Sequence, residues 1–319
     1  LLTLNPRFNK DAQVKVFLTG VTGFIGSKLT QRLLAEGYEV AIVVRPESQL
    51  DILQAVLPLI QVHVYDGSYA SLLQALEAAQ PEVVIHVASL FLAQHKPEDV
   101  ARLVESNLNF PTQLLQAMSD LGIKRFINTG TSWQHYQNEA YNPVNLYAAT
   151  KQAFEALLAY YVEAQGFKAI TLKLFDTYGP GDTRPKLFSL LRKTAKSGET
   201  LRMSPGEQLL DLVYIDDVLN AYLLAMARMP DVTKAERYAV SNPARLSLRE
   251  LVRIYGEMVG RPLNVEWGGL PYRPREVMEP WCSGLLMPEW LPKVTLCVGI
   301  MQMERNFEYH VNPSRSVDD

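Results

Sequence analysis

Between Val14 and Leu29 the chain reads VKVFLTGVTGFIGSKL, and this stretch restricts the rest of the fold more than any other. An apolar, β-branched run up to Thr19-Gly20 reads as a strand and a helical pattern starts near Phe24, so the chain crosses from strand to helix through Gly20, Gly23 and Gly26. Gly20 admits backbone angles that a side chain forbids, Gly23 lets a bulky anion reach the main chain, and Gly26 lets the helix pack closely on the strand. Unpaired N–H groups at the helix start, with the positive end of its dipole, favour a pyrophosphate there. Thr22, Phe24 and Ile25 belong to the same loop and are counted with the glycines as cofactor-binding. The spacing is G-x-x-G-x-x-G, one residue longer than G-x-G-x-x-G.

Strands and helices alternate after this loop: Glu39 to Val44 and Gln61 to Tyr65 as strands, Tyr69 to Ala79 as a helix, Val83 to Val87 as a strand. That order implies an α/β fold, a doubly wound parallel sheet with helices on both faces. Asp66 and Gly67 follow a strand end, where ligand crevices lie; Asp66 is expected either to accept a hydrogen bond from an adenine amino group or to cap a turn. His86 sits in an apolar run and reads as a core histidine. Farther on, 98–121 reads as a long helix interrupted by Pro111, Lys124 to Thr129 as a strand, Pro185 to Ser197 as a helix and Leu209 to Val213 as a strand. Asp216 or Asp217 is expected to cap a helix reaching Met229.

With 319 residues, 48% hydrophobic and 20% charged, the chain is long enough for one large core and a smaller second lobe. Its 31 basic and 34 acidic residues leave a net charge of −3, which points away from nucleic acid and anionic membranes as partners. Cys282 and Cys297 show no C-x-x-C or histidine spacing, so no metal site is expected and a reducing cytoplasm fits. No apolar run reaches the roughly 18 residues that span a bilayer. Residues 1–12 read as a loose lead-in and Asn306 to Asp319 as a polar tail.

The chemistry centres on two neighbouring segments. NTGTSW, residues 128–133, stands at a strand end, and the helix that follows, from about Asn145 to Gln165, carries Tyr147 and Lys151 one turn apart on one face. Ala148 and Ala149 between them leave room for a ligand. A neighbouring ammonium favours the phenolate, so Lys151 is expected to lower the pKa of Tyr147 and make it a proton donor and acceptor.

These marks together resemble the extended short-chain dehydrogenase/reductases, the NAD-dependent epimerase/dehydratase type that acts on nucleotide sugars. The resemblance covers about residues 14–303 and rests on T-G-V-T-G-F-I-G (19–26), V-I-H-V-A (84–88), Asn107, Y-x-x-x-K (147–151), Y-G-P-G-D (178–182) and Y-I-D-D-V (214–218). It implies a Rossmann-type domain over 1–175, with 211–241 returning to it, and a substrate lobe from 176–210 and 242–319. It makes Tyr147 the acid/base, Thr131 the hydroxyl holding the reacting oxygen, and Lys151 the partner of the nicotinamide ribose. Ala88 and Ser89 would lie along the cofactor, Asp66 on its adenine. Ser132, Trp133 and Asp176 are expected at the substrate, as is Arg273, which otherwise reads as a surface arginine.

Three positions depart from the family pattern. Asp176-Thr177 stands where an asparagine is usual, Leu210 where an arginine precedes Asp211, and Trp133-Gln134-His135 where small residues and a tyrosine-glycine pair follow the catalytic hydroxyl. Ser132 and Trp133 also replace the Asp-Glu pair of dehydratases, which argues against water elimination. Arg45 ends the second strand where NAD enzymes place a carboxylate, so NADP(H) is the expected cofactor and NAD(H) the alternative, with Glu47 then meeting the ribose. The expected activity is reduction of a nucleotide-linked 4-keto-deoxysugar, with CDP-paratose and CDP-abequose synthases as the branch most resembled. A 4-epimerase holding NAD, a reductase of another carbonyl compound, and a non-enzymatic dinucleotide sensor are the alternatives; retention of both Tyr147 and Lys151 argues against the last. A homodimer is expected through the helices at 98–121 and 145–165.

Overall fold

The computed structural model describes residues 14–311, with side chains described to residue 305. The strands are β1 (Lys15–Thr19), β2 (Glu39–Val44), β3 (Ile60–Val64), β4 (Val83–His86), β5 (Arg125–Thr131), β6 (Lys168–Leu174), β7 (Asp176–Tyr178), β8 (Leu201–Met203), β9 (Leu209–Leu210), β10 (Leu212–Tyr214), β11 (Ala235–Val240), β12 (Leu246–Ser247) and β13 (Val265–Trp267). The helices are α1 (Phe24–Ala35), α2 (Tyr69–Ala79), α3 (Asp99–Val104), α4 (Phe110–Asp120), α5 (Leu146–Gln165), α6 (Leu187–Ser197), α7 (Ile215–Arg228), α8 (Leu248–Met258) and α9 (Leu296–Val311).

Seven strands form one parallel sheet in the order β11-β6-β5-β4-β1-β2-β3. Side-chain alternation explains its two covered faces. Val16 and Leu18 of β1 join a core with Leu29 and Leu33 of α1 and Val218 and Tyr222 of α7. Phe17, between them, points the other way, into a core with Leu72 and Leu76 of α2, Leu114 of α4 and Phe154 of α5. The strand order reverses direction between β1 and β4, and that switch point opens the crevice outside their carboxyl ends. Outside the large sheet, the chain forms the short strand pairs β10-β7, β12-β9 and β13-β8, and the helices α6, α8 and α9.

The sheet and its helices stand as expected, with local differences. The helix over 98–121 is broken before Pro111, by a π-helical turn at Glu105–Asn109. The proline ring excludes the carbonyl four residues back from its usual place, and the wider turn accommodates it. The strand expected over 209–213 is two strands, parted at Asp211. Its carboxylate accepts from Ser241 Oγ (2.6 Å) and the Asn242 amide (2.8 Å), with Arg245 3.5 Å away, so the backbone turns to keep that carboxylate inside. Tyr214 is the N-cap of α7, with Asp216 and Asp217 in the first turn; the Asp217 carboxylate instead accepts from the Val294 amide, tying down the C-terminal lobe. Finally, α9 runs to Val311, into the segment read as a tail; residues 1–12 and the end of that tail lie outside the described residues.

His86 is a core histidine, its Nδ1 2.9 Å from Thr19 Oγ1 and its ring among Phe110, Phe126 and Phe154. Both cysteines are free and exposed. Among the described residues no helix is long and apolar enough to cross a membrane.

Candidate active site

The crevice at the switch point is a cavity of about 880 Å³. Its floor is the glycine loop. Gly20 adopts φ +78°, and a Cβ there would stand 2.5 Å from the Ala88 amide nitrogen; one on Gly26 would stand 2.1 Å from Gly20 O. These two contacts leave no room for side chains, so the loop is a bare backbone cradle. Gly23 is the N-cap of α1 and no side chain caps that helix, which leaves its first amides facing the cavity. The residues therefore fit a dinucleotide pyrophosphate. Thr22, Phe24 and Ile25 also line the cavity, as do Ala88, which packs against Gly20, and Ser89.

Arg45 lies on the rim, 3.2 Å from Glu47, both well exposed. Tyr65 and Glu105 also line the cavity, and the carboxylate of Glu105 acts on the Tyr65 phenol after burial in raising its pKa. Arg102, one turn before Glu105 and 3.5 Å from Asp99, also lines the cavity and was missed by sequence reading. Asp66 and Gly67 stand outside the lining. The Asp66 carboxylate accepts from both the amide and the hydroxyl of Ser68, as a turn cap does.

Tyr147, Lys151 and Thr131 all line this cavity. Asn145 caps α5 by accepting from the Ala148 amide (2.9 Å), which sets the first turn carrying Tyr147. The Tyr147 ring meets Phe91 edge-on, centroids 5.0 Å apart at 79°. Burial pushes its phenol up to about 12, while a hydrogen bond with Ser89 and the charge of Arg184 pull the other way. Lys151 is 3% exposed, and burial holds its ammonium down at about 8 against the pull of Glu155. The expectation that Lys151 lowers the tyrosine's pKa is thus not met: burial dominates both groups, and the positive charge acting on Tyr147 is that of Arg184. Strand β5 extends two residues beyond the expected end and delivers Thr131, whose Oγ1 accepts from the Trp133 amide (3.3 Å) and keeps its proton to donate.

Ser132, Trp133 and Asp176 line the same cavity. Trp133 packs on Phe91, centroids 5.5 Å apart, and Lys186 stands 5.2 Å over the Phe91 ring. Asp176 is exposed where it lines the cavity, and the charges of Lys186, Arg273 and Arg184 act on its carboxylate. Arg273 does not line the cavity: its guanidinium is held by Glu276, 2.9 Å away, close enough to Asp176 to act only through charge. Phe91, Arg184 and Lys186 were missed; the two cations follow Y-G-P-G-D directly, and that position was their one signal.

The family model described as "NAD dependent epimerase/dehydratase family" matches residues 16–241. A CDP-abequose synthase of Yersinia pseudotuberculosis is 30% identical over 269 residues, 84% of this chain and 92% of that protein. The UDP-glucose 4-epimerase of Thermus thermophilus, solved with NAD, superposes with a TM-score of 0.77 at 25% identity, covering 92% of this chain and 98% of that one. Bacillus cereus UDP-glucuronic acid 4-epimerase superposes with a TM-score of 0.82 at 23% identity over 93% and 100%.

Proposed function

The chain belongs to the NAD dependent epimerase/dehydratase family, and from that premise we propose that it is an NADPH-dependent reductase of a nucleotide-activated 4-keto-6-deoxysugar, with a CDP sugar as the first substrate to try. One observation carries the reading: Tyr147, Thr131 and Lys151 converge on the cavity into which the glycine cradle opens. The likeness to a CDP-abequose synthase supports the nucleotide, and Arg45 on the rim supports the phosphate-bearing cofactor.

The glycine cradle of Gly20, Gly23 and Gly26 would hold the dinucleotide, whose chemistry when bound would be hydride donation to the carbonyl carbon. The protein's own residues manage the oxygen. Tyr147, protonated at neutral pH because its phenol titrates only near 12, gives its proton to that oxygen as charge develops there. Thr131 Oγ1 donates to the same oxygen and holds it within reach of the phenol. Phe91 fixes the tyrosine ring and, with Trp133, presents an apolar wall suited to a deoxy carbon. Ser132 and Trp133 offer no carboxylate for water elimination.

A second reading, a nucleotide-sugar 4-epimerase that keeps NAD bound, is favoured by the epimerase structures of the same fold. Incubation with CDP-4-keto-6-deoxyglucose and NADPH separates the two. Stoichiometric loss of NADPH absorbance with formation of one alcohol supports the reductase; a purified protein carrying NAD⁺ that interconverts CDP- or UDP-sugar epimers without net cofactor consumption overturns it. The protein is further proposed to pair as a cytoplasmic homodimer through the outer faces of α3 and α5, where Val104, Leu157 and Tyr160 are exposed. Light scattering on the purified chain checks the dimer.

A further inference from the structure

Behind Thr131 lies a buried polar group that the reaction does not use directly. Gln134 is completely buried, three residues after Thr131. Its Oε1 accepts from the Thr131 amide at 3.0 Å. Its Nε2 donates to Gln152 Oε1 at 2.6 Å and to Glu155 Oε1 at 2.7 Å, both on α5. Glu155 stands one helical turn after Lys151, which stands one turn after Tyr147. The carboxylate is itself anchored: Lys173 of β6 is 3.4 Å away and Arg237 of β11 is 3.1 Å away. Lys173 donates to His135 Nε2 (2.7 Å), while the other ring nitrogen of His135 faces Glu139 O (3.0 Å), which sets the tautomer. Gly130 completes the arrangement, since a Cβ there would stand 3.0 Å from Gln134 Oε1.

A single carboxamide thus joins the two elements that carry the chemistry, the end of β5 and the helix α5. We propose that Gln134 is a positioning residue: it locks the Thr131 backbone to α5, through Gln152 and Glu155, and so sets the distance between the Thr131 hydroxyl and the Tyr147 phenol. The inference rests on the reading of Thr131 and Tyr147 as the groups that meet the reacting oxygen. Its physical basis is that the buried carboxamide bonds to one element through its oxygen and to the other through its nitrogen, so removing it cuts the side-chain tie between α5 and the strand end, which stays paired with Leu174 of β6, without touching a group that meets substrate. Small displacements of this kind are costly to a proton transfer because the donors must be placed before the barrier is crossed.

The test is a double-mutant cycle in the full-length protein, with NADPH and CDP-4-keto-6-deoxyglucose as the assay. Tyr147→Phe is the control on the site: if it keeps wild-type turnover, the reading of the site fails, whatever Gln134 does. With that control inactive, Gln134→Met is expected to lower kcat by a factor of about 10–10², with the NADPH dissociation constant, titrated by fluorescence without substrate, within about twofold of wild type. Deuterium exchange at the Thr131–Trp133 amides should quicken. Because Gln134 acts through Thr131, adding Gln134→Met to Thr131→Val should cost nothing further, whereas an independent structural role makes the two losses multiply. Wild-type kcat in Gln134→Met, or multiplying losses, overturns the proposal. Should the methionine variant fail to fold, Gln134→Asn serves in the same cycle: it keeps the amide but is one methylene too short to reach both elements, and full activity in it overturns the proposal equally.

Discussion

At the scale of single residues, burial rather than charge pairing sets the working state of the site. The Tyr147 phenol is pushed up to about 12, so it enters a reduction already protonated, and Tyr147→Phe removes that proton without removing a charge. The variant should fold and hold cofactor as wild type does while turnover falls by a factor on the order of 10²–10⁴, measured as NADPH consumption with the CDP-4-keto sugar. Lys151 titrates lower, at about 8. The rate of reduction should therefore fall as pH rises through about 8, when the ammonium is lost while Tyr147 stays protonated. Stability should not fall with it. A lysine whose folded pKa lies below its ordinary 10.5 binds fewer protons folded than unfolded between about 8 and 10.5, so its contribution to stability rises with pH across that window. A pH–rate profile beside thermal melts at the same pH values checks both signs. A rate that holds flat to about pH 10 refutes a need for the Lys151 ammonium as partner of the nicotinamide ribose.

At the scale of elements, Asp211 shows how one buried carboxyl reshapes a strand. Burial raises it to about 6, and the Ser241, Asn242 and Arg245 contacts only partly oppose that. Its folded pKa lies above the ordinary 3.8, so the folded chain binds more protons between about 4 and 6, and the stability this gives at low pH is lost as pH rises through about 6. Asp211→Asn keeps an acceptor for the Asn242 amide and cannot ionise. Its Tm relative to wild type should therefore climb between about pH 4 and pH 7; a constant difference would refute the assignment. The same element shows what a linear pattern conveys. The glycine loop and Y-x-x-x-K were legible because their geometry is local, fixed by spacings of three and four residues on one turn or one helix face. The break at Asp211 was not legible, because the partners that turn its carboxylate inward stand some thirty positions later. For the same reason Gln134 read only as a departure from a family pattern: its partners are on another element, and only the packed fold brings them within 3 Å.

At the scale of the whole molecule, the parallel sheet places its strand ends at one crevice, and the proposed cofactor preference is tested where Arg45 lines it. Arg45 follows β2 and Arg102, 3.5 Å from Asp99, belongs to α3; both line the cavity, and in the proposed reading they are the guanidinium groups available to a 2′-phosphate. Against them stands Glu47, paired with Arg45 at 3.2 Å. Such an exposed pair is worth little, so a phosphate that accepts from the same fork displaces it readily. Wild type should accordingly bind NADPH at least about tenfold more tightly than NADH. Arg45→Asp should reverse that order by removing one contact and adding repulsion. Glu47→Ala should strengthen NADPH binding and leave NADH nearly unchanged, because it frees the guanidinium without adding a ribose partner. Fluorescence titration of the three proteins with both cofactors provides the measurement. If Glu47 met the ribose hydroxyls of NADH instead, Glu47→Ala would weaken NADH and leave NADPH alone. That outcome, or equal affinities in wild type, would remove the preference for net reduction and turn the assignment toward an epimerase that keeps its NAD.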